Sequence, residues 1–207
     1  MPEINNIGQV NIDYGVCGFT SALYALYTQS PENQQEYLSS AAKYKSRVAA
    51  EIKTFLKILE AEGDASSENS LFKQITDFTR TFGGDYANFS IPQYVSAINT
   101  MTTGAAQADS VDISIAMPPE GVVKYLREIC NLNSAIVDHR QQPWPKEAII
   151  GVRHGNTAAG MYDGLVHYVY RKEPTVYSWG KRFSDLAHAG QSQHRQYEAC
   201  VMIAISK

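Results

Sequence analysis

Residues 13–26 read DYGVCGFTSALYAL, a short loop that runs directly into an apolar helix with a cysteine at the junction. The first amides of a helix have no partner within the helix, and they lie at the positive end of its dipole. Both features favour a thiolate, which is the nucleophilic form of cysteine. We therefore predict a helix over residues 17–29 and take Cys17 as a candidate nucleophile.

A histidine suited to act as a base lies about 150 residues downstream, where His167 falls in the strand-like run LVHYVY. A single nucleophilic cysteine with a distant histidine is the arrangement of cysteine hydrolases. His154, at the end of an earlier predicted strand, competes for the same role. The other histidines lie in polar surroundings and are predicted at the surface: His139, His188 and His194. No histidine pair has metal-ligand spacing, so we expect no metal and no cofactor.

The composition narrows the class of protein. A chain of 207 residues that is 44% hydrophobic suits one globular domain. The net charge of −3 gives no electrostatic basis for binding nucleic acid, and no apolar run is long enough to span a membrane. The three cysteines cannot all pair and include no CxxC, which predicts free thiols: Cys17, Cys130 and Cys200.

The first residues, MPEINN, contain neither the basic segment nor the apolar segment of a Sec signal peptide. The expectation is a protein that is cytoplasmic as synthesised. Delivery by a specialised secretion machine stays open, because such signals are not visible in composition.

Helical patterns dominate the first half of the chain and strand patterns the second. Residues 1–16 are predicted to be an irregular arm, and apolar periodicity predicts helices at 17–29, 32–62, 71–82 and 91–101. After a polar loop at 102–110, strands are predicted at 111–115, 148–153, 165–171, 175–179 and 197–205, with a helix at 118–130. We expect one α+β domain over 1–207, with 30–105 an enlarged helical subdomain and 111–207 an antiparallel sheet half.

Two short motifs resemble those of papain-like cysteine hydrolases. CGFTSAL, beginning at Cys17, resembles the Cys-Gly-x-x-[Ala/Ser] nucleophile helix of this superfamily, which includes double-glycine bacteriocin-processing peptidases and phytochelatin synthases. HYVY, beginning at His167, is similar to the strand that carries the catalytic histidine. The resemblance covers about 14 residues near the N-terminus and about 40 near the C-terminus, and no part of 30–105. It implies a papain-like fold in which the helical region packs on the sheet.

The same resemblance leaves the third catalytic residue open. YSWG at 177–180 resembles the Asn-Ser-Trp-Gly segment of the family, but it lacks the acid or amide that orients the imidazole. Ser178 ranks first by its position in the strand, followed by Asp185 and then Asp163. A site with Cys17 and His167 alone is a further alternative.

An oxyanion hole would use the backbone N–H of Cys17 and one side-chain amide. The family places a glutamine about six residues before the cysteine. Here Asn11 stands six residues before Cys17 and Gln9 stands eight before it. Either side chain is a candidate for this second donor.

These features predict a thiol-dependent hydrolase acting on a peptide bond or a side-chain amide, with a protein or peptide as substrate. Protease, deamidase and transferase chemistry are all compatible with them. By resemblance alone, the chain suits a bacterial effector or toxin. Two alternatives stay open: a catalytically inactive papain-like binding module, and a peptidoglycan amidase.

Overall fold

The structure, a computed structural model, describes residues 2–101, 111–155 and 160–206. Within these ranges the helices are α1 Pro2–Tyr14, α2 Cys17–Gln29, α3 Gln35–Leu38, α4 Ala41–Ala61, α5 Leu71–Arg80, α6 Ile91–Thr100, α7 Pro119–Glu128 and α8 Leu186–Gln191. The strands are β1 Asn133–Val137, β2 Glu147–His154, β3 His167–Lys172, β4 Thr175–Ser178, β5 Lys181–Phe183 and β6 Tyr197–Ser206. Helices precede the sheet, which confirms the predicted α+β class.

All six strands form one antiparallel sheet in the order β1-β6-β2-β3-β4-β5. The ten-residue β6 lies between β1 and β2. The register of β2 against β6 shifts between Gly151 and Val152, which leaves Cys200 of β6 as the extra residue of a bulge. At the other side of β2, His167 of β3 pairs with Val152, so the start of β3 lies beside the end of β2.

The helices other than α8 pack on one face of this sheet around α2. Residues 18–25 of α2 are all buried, which is why this helix is apolar around most of its circumference. One continuous core contains residues of the helices and of the sheet, for example Phe19, Phe55 and Ile203. A smaller apolar cluster, which includes Val152 and Val169, covers the other face beneath α8.

The N-terminal arm was predicted to be irregular, and this is wrong because residues 2–14 form α1. Ile4, Ile7 and Val10 recur at helical spacing and are all buried. The polar residues between them obscured this pattern. α1 matters for the site because Asn11 lies in its last turn.

The long helix predicted at 32–62 is interrupted. Its first part forms a short 3₁₀ turn and α3, and α4 begins only at Ala41. Ser40 is the N-cap of α4, since its side chain accepts a hydrogen bond from the Lys43 amide. A serine at this position stabilises a helix start more than a helix interior, which is why the helix is divided here.

The strand predicted at 111–115 is absent from the described structure. Side chains satisfy the backbone of this segment in place of a neighbouring strand: Ser114 N–H donates to Asp112 Oδ1 at 2.8 Å, and Tyr94 Oη donates to the Ile113 carbonyl at 2.6 Å. The segment instead forms one wall of the cavity described below. The loop predicted at 102–110 lies outside the described residues.

The C-terminal strand predictions match β2, β3, β4 and β6 to within two residues at each end. The sequence interpretation missed the short elements β1, β5 and α8. No helix in the described ranges has the length and apolarity needed to cross a membrane.

Candidate active site

The first residues of α2 and β3 both line a partly open cavity of about 120 Å³. Cys17 and His167, which are 150 positions apart in the chain, both line this cavity. Trp179, which directly follows β4, and Asn11 of α1 also contribute to its walls. Tertiary packing therefore brings together the two residues that the sequence suggested as nucleophile and base.

Cys17 is the first residue of α2 and is partly exposed. Burial raises the pKa of its thiol to about 11, while hydrogen bonding from the backbone of Tyr168 and Gly18 acts in the opposite direction. The expected stabilised thiolate is therefore wrong for the resting protein, because desolvation outweighs the amides at the helix start. Tyr168 directly follows His167, so its backbone also links the thiol to the start of β3.

His167 is 5% exposed, and its Nε2 lies 3.0 Å from Ser178 Oγ. Burial lowers the pKa of His167 to about 3, with a smaller effect from His154. The imidazole is therefore neutral near pH 7. Because Ser178 engages Nε2, Nδ1 is the ring nitrogen left for contact with a substrate or with the thiol.

Trp179 covers the imidazole. Its ring is stacked on that of His167 with a centroid distance of 4.4 Å and an interplanar angle of 8°. Trp179 and Gly180 both have positive φ, +50° and +72°, as the two central residues of the tight turn between β4 and β5 require. A tryptophan rarely adopts this conformation, so surrounding contacts must hold it there.

Three contacts hold this turn in place. The Gly180 N–H donates to Tyr24 Oη of α2 at 2.8 Å, and Trp179 Nε1 donates to Tyr197 Oη at 3.3 Å. The backbone of the turn also lies against Gly8 of α1, where an added Cβ would come within 2.4 Å of the Gly180 nitrogen. The helix that begins with Cys17 is therefore hydrogen-bonded to the turn that covers His167.

Of the three candidates for the orienting residue, Ser178 is the one hydrogen-bonded to the imidazole. Asp185 caps α8 by accepting a hydrogen bond from the His188 amide at 2.9 Å, and it is exposed. Asp163 is also exposed. Ser178 can orient the ring through its hydroxyl group but adds no negative charge.

The two candidates for the oxyanion hole differ in position. Asn11 is 3% exposed and lines the cavity, and its Oδ1 is buried with no hydrogen-bond partner. Gln9 is exposed, and its Nε2 donates to the carboxylate of Asp13 at 2.9 Å. A half-turn of the Asn11 amide exchanges its oxygen and nitrogen, so this side chain can accept a hydrogen bond in the cavity or donate one.

His154, the competing base, is the last residue of β2. It is not among the described residues that line the cavity. Its ring stacks on Tyr197 with a centroid distance of 6.2 Å. Burial, followed by the nearby Arg195, lowers its pKa. The ring centroid of Tyr197 also lies 6.0 Å from that of His167, so Tyr197 connects His154 to the site.

The sequence interpretation missed the aromatic residues that complete the site. Tyr24 and Tyr197 hold the turn, while Phe78 and Phe82 form a wall of the cavity. The spacing of the two phenylalanines marked one face of α5, but nothing local indicated what that face would cover. Within residues 2–101, 111–155 and 160–206, no three His, Cys, Asp or Glu side chains are grouped so as to hold a metal ion.

Comparisons with known proteins add no family to this geometry. No protein-family model matches the sequence, and neither a curated protein nor a solved structure matches it.

Proposed function

We propose that this chain is a thiol-dependent hydrolase that attacks the carbonyl carbon of a peptide or amide through Cys17. The observation that carries the proposal is the shared cavity, which is lined by both Cys17 and the buried His167. The papain-like assignment is part of the proposal. Its support is the cysteine at the start of an apolar helix and the histidine at the start of a strand.

In the resting pair both groups are neutral, because burial raises the pKa of Cys17 and lowers that of His167. The thiolate is therefore formed during attack. Sγ bonds to the carbonyl carbon as its proton passes to Nδ1 of His167, which then acts as a general base. The carbon–nitrogen bond breaks, and the departing amine takes that proton. Water or another acceptor then resolves the acyl-enzyme.

The surroundings of His167 suit this proton transfer. With Nδ1 unprotonated, the proton of the neutral ring lies on Nε2, which donates to Ser178 Oγ. When Nδ1 gains a second proton, the ring becomes a cation lying parallel to the face of Trp179. A cation over an indole ring is stabilised electrostatically, most strongly away from water.

The negative charge on the carbonyl oxygen also needs donors. We assign this role to the Cys17 backbone N–H and to the Asn11 side-chain amide, turned so that Nδ2 faces the cavity. The unpartnered Asn11 Oδ1 supports this assignment, because a buried amide without a partner is costly unless a ligand satisfies it.

A binding module is the second candidate, and the directions of the two pKa shifts favour it. A thiol with a pKa of about 11 and an imidazole with a pKa of about 3 are both unreactive unless a substrate changes their surroundings. In that case the same cavity would bind a ligand without chemistry.

Thiol alkylation distinguishes the two candidates. Intact-mass measurement of iodoacetamide labelling, from pH 5 to pH 9, gives a rate for each cysteine after peptide mapping. For a hydrolase we expect Cys17 to react faster than Cys130 and Cys200, which are buried structural thiols. His167→Gln should slow the labelling of Cys17 by about 10²-fold or more. Equally slow labelling of all three cysteines, unaffected by His167→Gln, would leave only the binding module.

The oxyanion assignment has its own matched pair of variants. Asn11→Ala should lower turnover of any substrate found by about 10²–10³-fold, the usual effect of losing one such donor. Gln9→Ala, two residues away in the same helix but exposed, should leave turnover within about twofold of the wild type. Equal effects of the two variants would remove Asn11 from the proposed mechanism.

A further inference from the structure

One wall of the cavity comes from the helical region, outside the two motifs that resemble those of the papain-like families. Phe78 lies in α5, and Phe82 and Tyr86 follow it. Phe78 packs edge-on against Phe82 with a centroid distance of 5.4 Å, and against Tyr162 at 5.0 Å. Phe78, Phe82 and Tyr86 form an aromatic wall of the cavity that lies outside the two papain-like motifs.

Most of the remaining lining is also apolar, although Thr79 and Ser114 belong to it. Ile115 and Met117, from the segment wrongly predicted to be a strand, lie in the lining with Leu165. Among the described residues that line the cavity there is no Asp, Glu, Lys or Arg. A charged group entering this space would lose its hydration without gaining a partner, so the lining selects an uncharged occupant.

Size and shape restrict the occupant further. The cavity measures about 120 Å³, somewhat less than the roughly 150 Å³ of a protein cavity that holds benzene. This volume limits the occupant to about one side chain, with any remainder at the open side of the cavity. Phe82 is 46% exposed although it is a large apolar residue, so it lies partly in solvent at the edge of this space.

We propose that this cavity is a substrate-specificity pocket, which takes one uncharged, bulky apolar side chain of a peptide and thereby presents a carbonyl group to Cys17. The inference rests on the proposed hydrolase function. Asn11, whose buried Oδ1 has no hydrogen-bond partner, lines this mostly apolar space and supplies a polar contact for a peptide group. The helical region is then the specificity element, and a glutamine side chain is a poor occupant, which disfavours deamidation.

A series of N-acetyl-aminoacyl chloromethyl ketones carrying Phe, Leu, Gln or Glu tests this pocket. Sγ of Cys17 bonds to the probe's methylene carbon, chloride leaves, and the thiol proton passes through His167 to solvent. Each rate is divided by the rate at which iodoacetamide labels the same protein. Iodoacetamide carries no amino-acid side chain, so its rate reports the reactivity of the thiol alone. We expect the Phe and Leu probes to react about tenfold or more faster than the Gln and Glu probes.

Two variants and a control connect this preference to the aromatic wall. Phe82→Asp places a charge at the exposed edge, and Phe78→Leu reduces the buried wall with little loss of volume. Both should reduce the normalised preference for Phe over Gln, two uncharged probes, by about fivefold or more. Ile136→Ser, at a residue of β1 that is 47% exposed and does not line the cavity, should preserve the preference.

The possible failures are distinguishable. If iodoacetamide labels Cys17 in a His167-dependent manner but the four probes react equally, the pocket is overturned and the hydrolase stands. If Cys17 is inert to every reagent, the hydrolase fails. Binding of N-acetyl-phenylalaninamide, compared with N-acetyl-glutaminamide, to Cys17→Ala protein by NMR then decides the pocket alone. Shifts at Phe78 and Phe82 confined to the phenylalanine compound would support it, and equal or absent shifts would overturn it.

Discussion

Cys17 and His167 line one cavity but are held in place in different ways. Cys17 begins α2, whose next eight residues are buried, so the helix and the core it enters determine where the thiol lies. His167 begins β3, and its ring is held by Ser178, Trp179 and Tyr197, which come from later parts of the chain. The nucleophile is thus positioned mainly by the helix that it begins, with one backbone contact from Tyr168. The base depends on side chains from three later positions in the chain.

The two sides nevertheless share one electrostatic outcome. Desolvation is the largest cause of both pKa shifts, upward for Cys17 and downward for His167. Each shift favours the neutral form of its group. The difference between Cys17 and His167 therefore lies in the contacts that hold each side chain in place. Variants that remove contacts around one residue and not the other should reveal it.

The largest expected effect comes from the contact between α1 and the Trp179-Gly180 turn. In Gly8→Ala, the new methyl group would lie 2.4 Å from the Gly180 nitrogen and 2.5 Å from its Cα, and backbone atoms there cannot move aside cheaply. We expect a loss of about 3 kcal/mol in the free energy of unfolding, measured by urea denaturation. Tryptophan fluorescence should also change, because Trp179 loses its packing on His167.

Gln9→Ala is the control for this helix, since Gln9 is exposed in α1 and its side chain donates to the exposed Asp13. It should cost no more than about 0.5 kcal/mol. A similarly small cost for Gly8→Ala would mean that the Trp179-Gly180 turn moves aside freely. The idea that His167 depends on this turn for its position would then be wrong.

The next largest effect is a pH dependence of the unfolding free energy that arises from His167. Because burial lowers the pKa of His167 from 6.5 to about 3, the unfolded chain binds a proton below pH 6.5 that the folded chain does not. Stability is therefore complete above about pH 6.5 and is lost as the pH falls toward 3. Between pH 7 and pH 5 this amounts to about 2 kcal/mol. Urea denaturation at both pH values measures it.

The variant that isolates this contribution is His167→Gln, which has no titrating ring at that position. The fall in stability between pH 7 and pH 5 should be smaller than that of the wild type by about 2 kcal/mol. Identical falls in the two proteins would show that His167 titrates normally, and hence that its surroundings are wetter than the structure indicates.

A smaller effect is expected from the hydrogen bond between Ser178 and His167. In Ser178→Ala, Nε2 loses its partner in a buried environment, and the ring gains freedom to turn. We expect Cys17 alkylation to slow about tenfold, equivalent to about 1.4 kcal/mol. Ser178→Thr, which keeps the hydroxyl group, should retain most of the rate. Loss in both variants, or in neither, would remove Ser178 as the orienting residue.

The smallest effect concerns the link between the two sides. Tyr24→Phe removes the hydroxyl that accepts the Gly180 N–H and should cost about 1 kcal/mol of unfolding free energy. Tyr37→Phe, at an exposed tyrosine of α3, should cost almost nothing. A double-mutant cycle of Tyr24→Phe with Ser178→Ala, read by Cys17 alkylation, measures the coupling. Additive effects would indicate that the two sides are independent.

Much of the α2 side could be predicted from the sequence. The predicted helix at 17–29 has the observed bounds, because helical periodicity is local and the helix is long enough to show it. The order of helices and strands could be predicted because their periodicities are also local. Cys17 and His167 could be chosen as candidates because each lies in a recognisable local pattern, a helix start and a strand-like run. α1 was missed although its apolar spacing is visible, because its polar residues outnumber the apolar ones.

Only the tertiary structure decided the rest of the site. Strands as short as β5 are defined by their partners and not by their own residues. Ser178 and Asn11 were one choice among several until packing brought them to the cavity, and the aromatic wall from α5 had no local signal. The pKa shifts of Cys17 and His167 depend on how completely the folded chain excludes water from these two side chains. Local sequence thus determined which groups could react. Long-range packing determined which residues surround them and which protonation state they adopt.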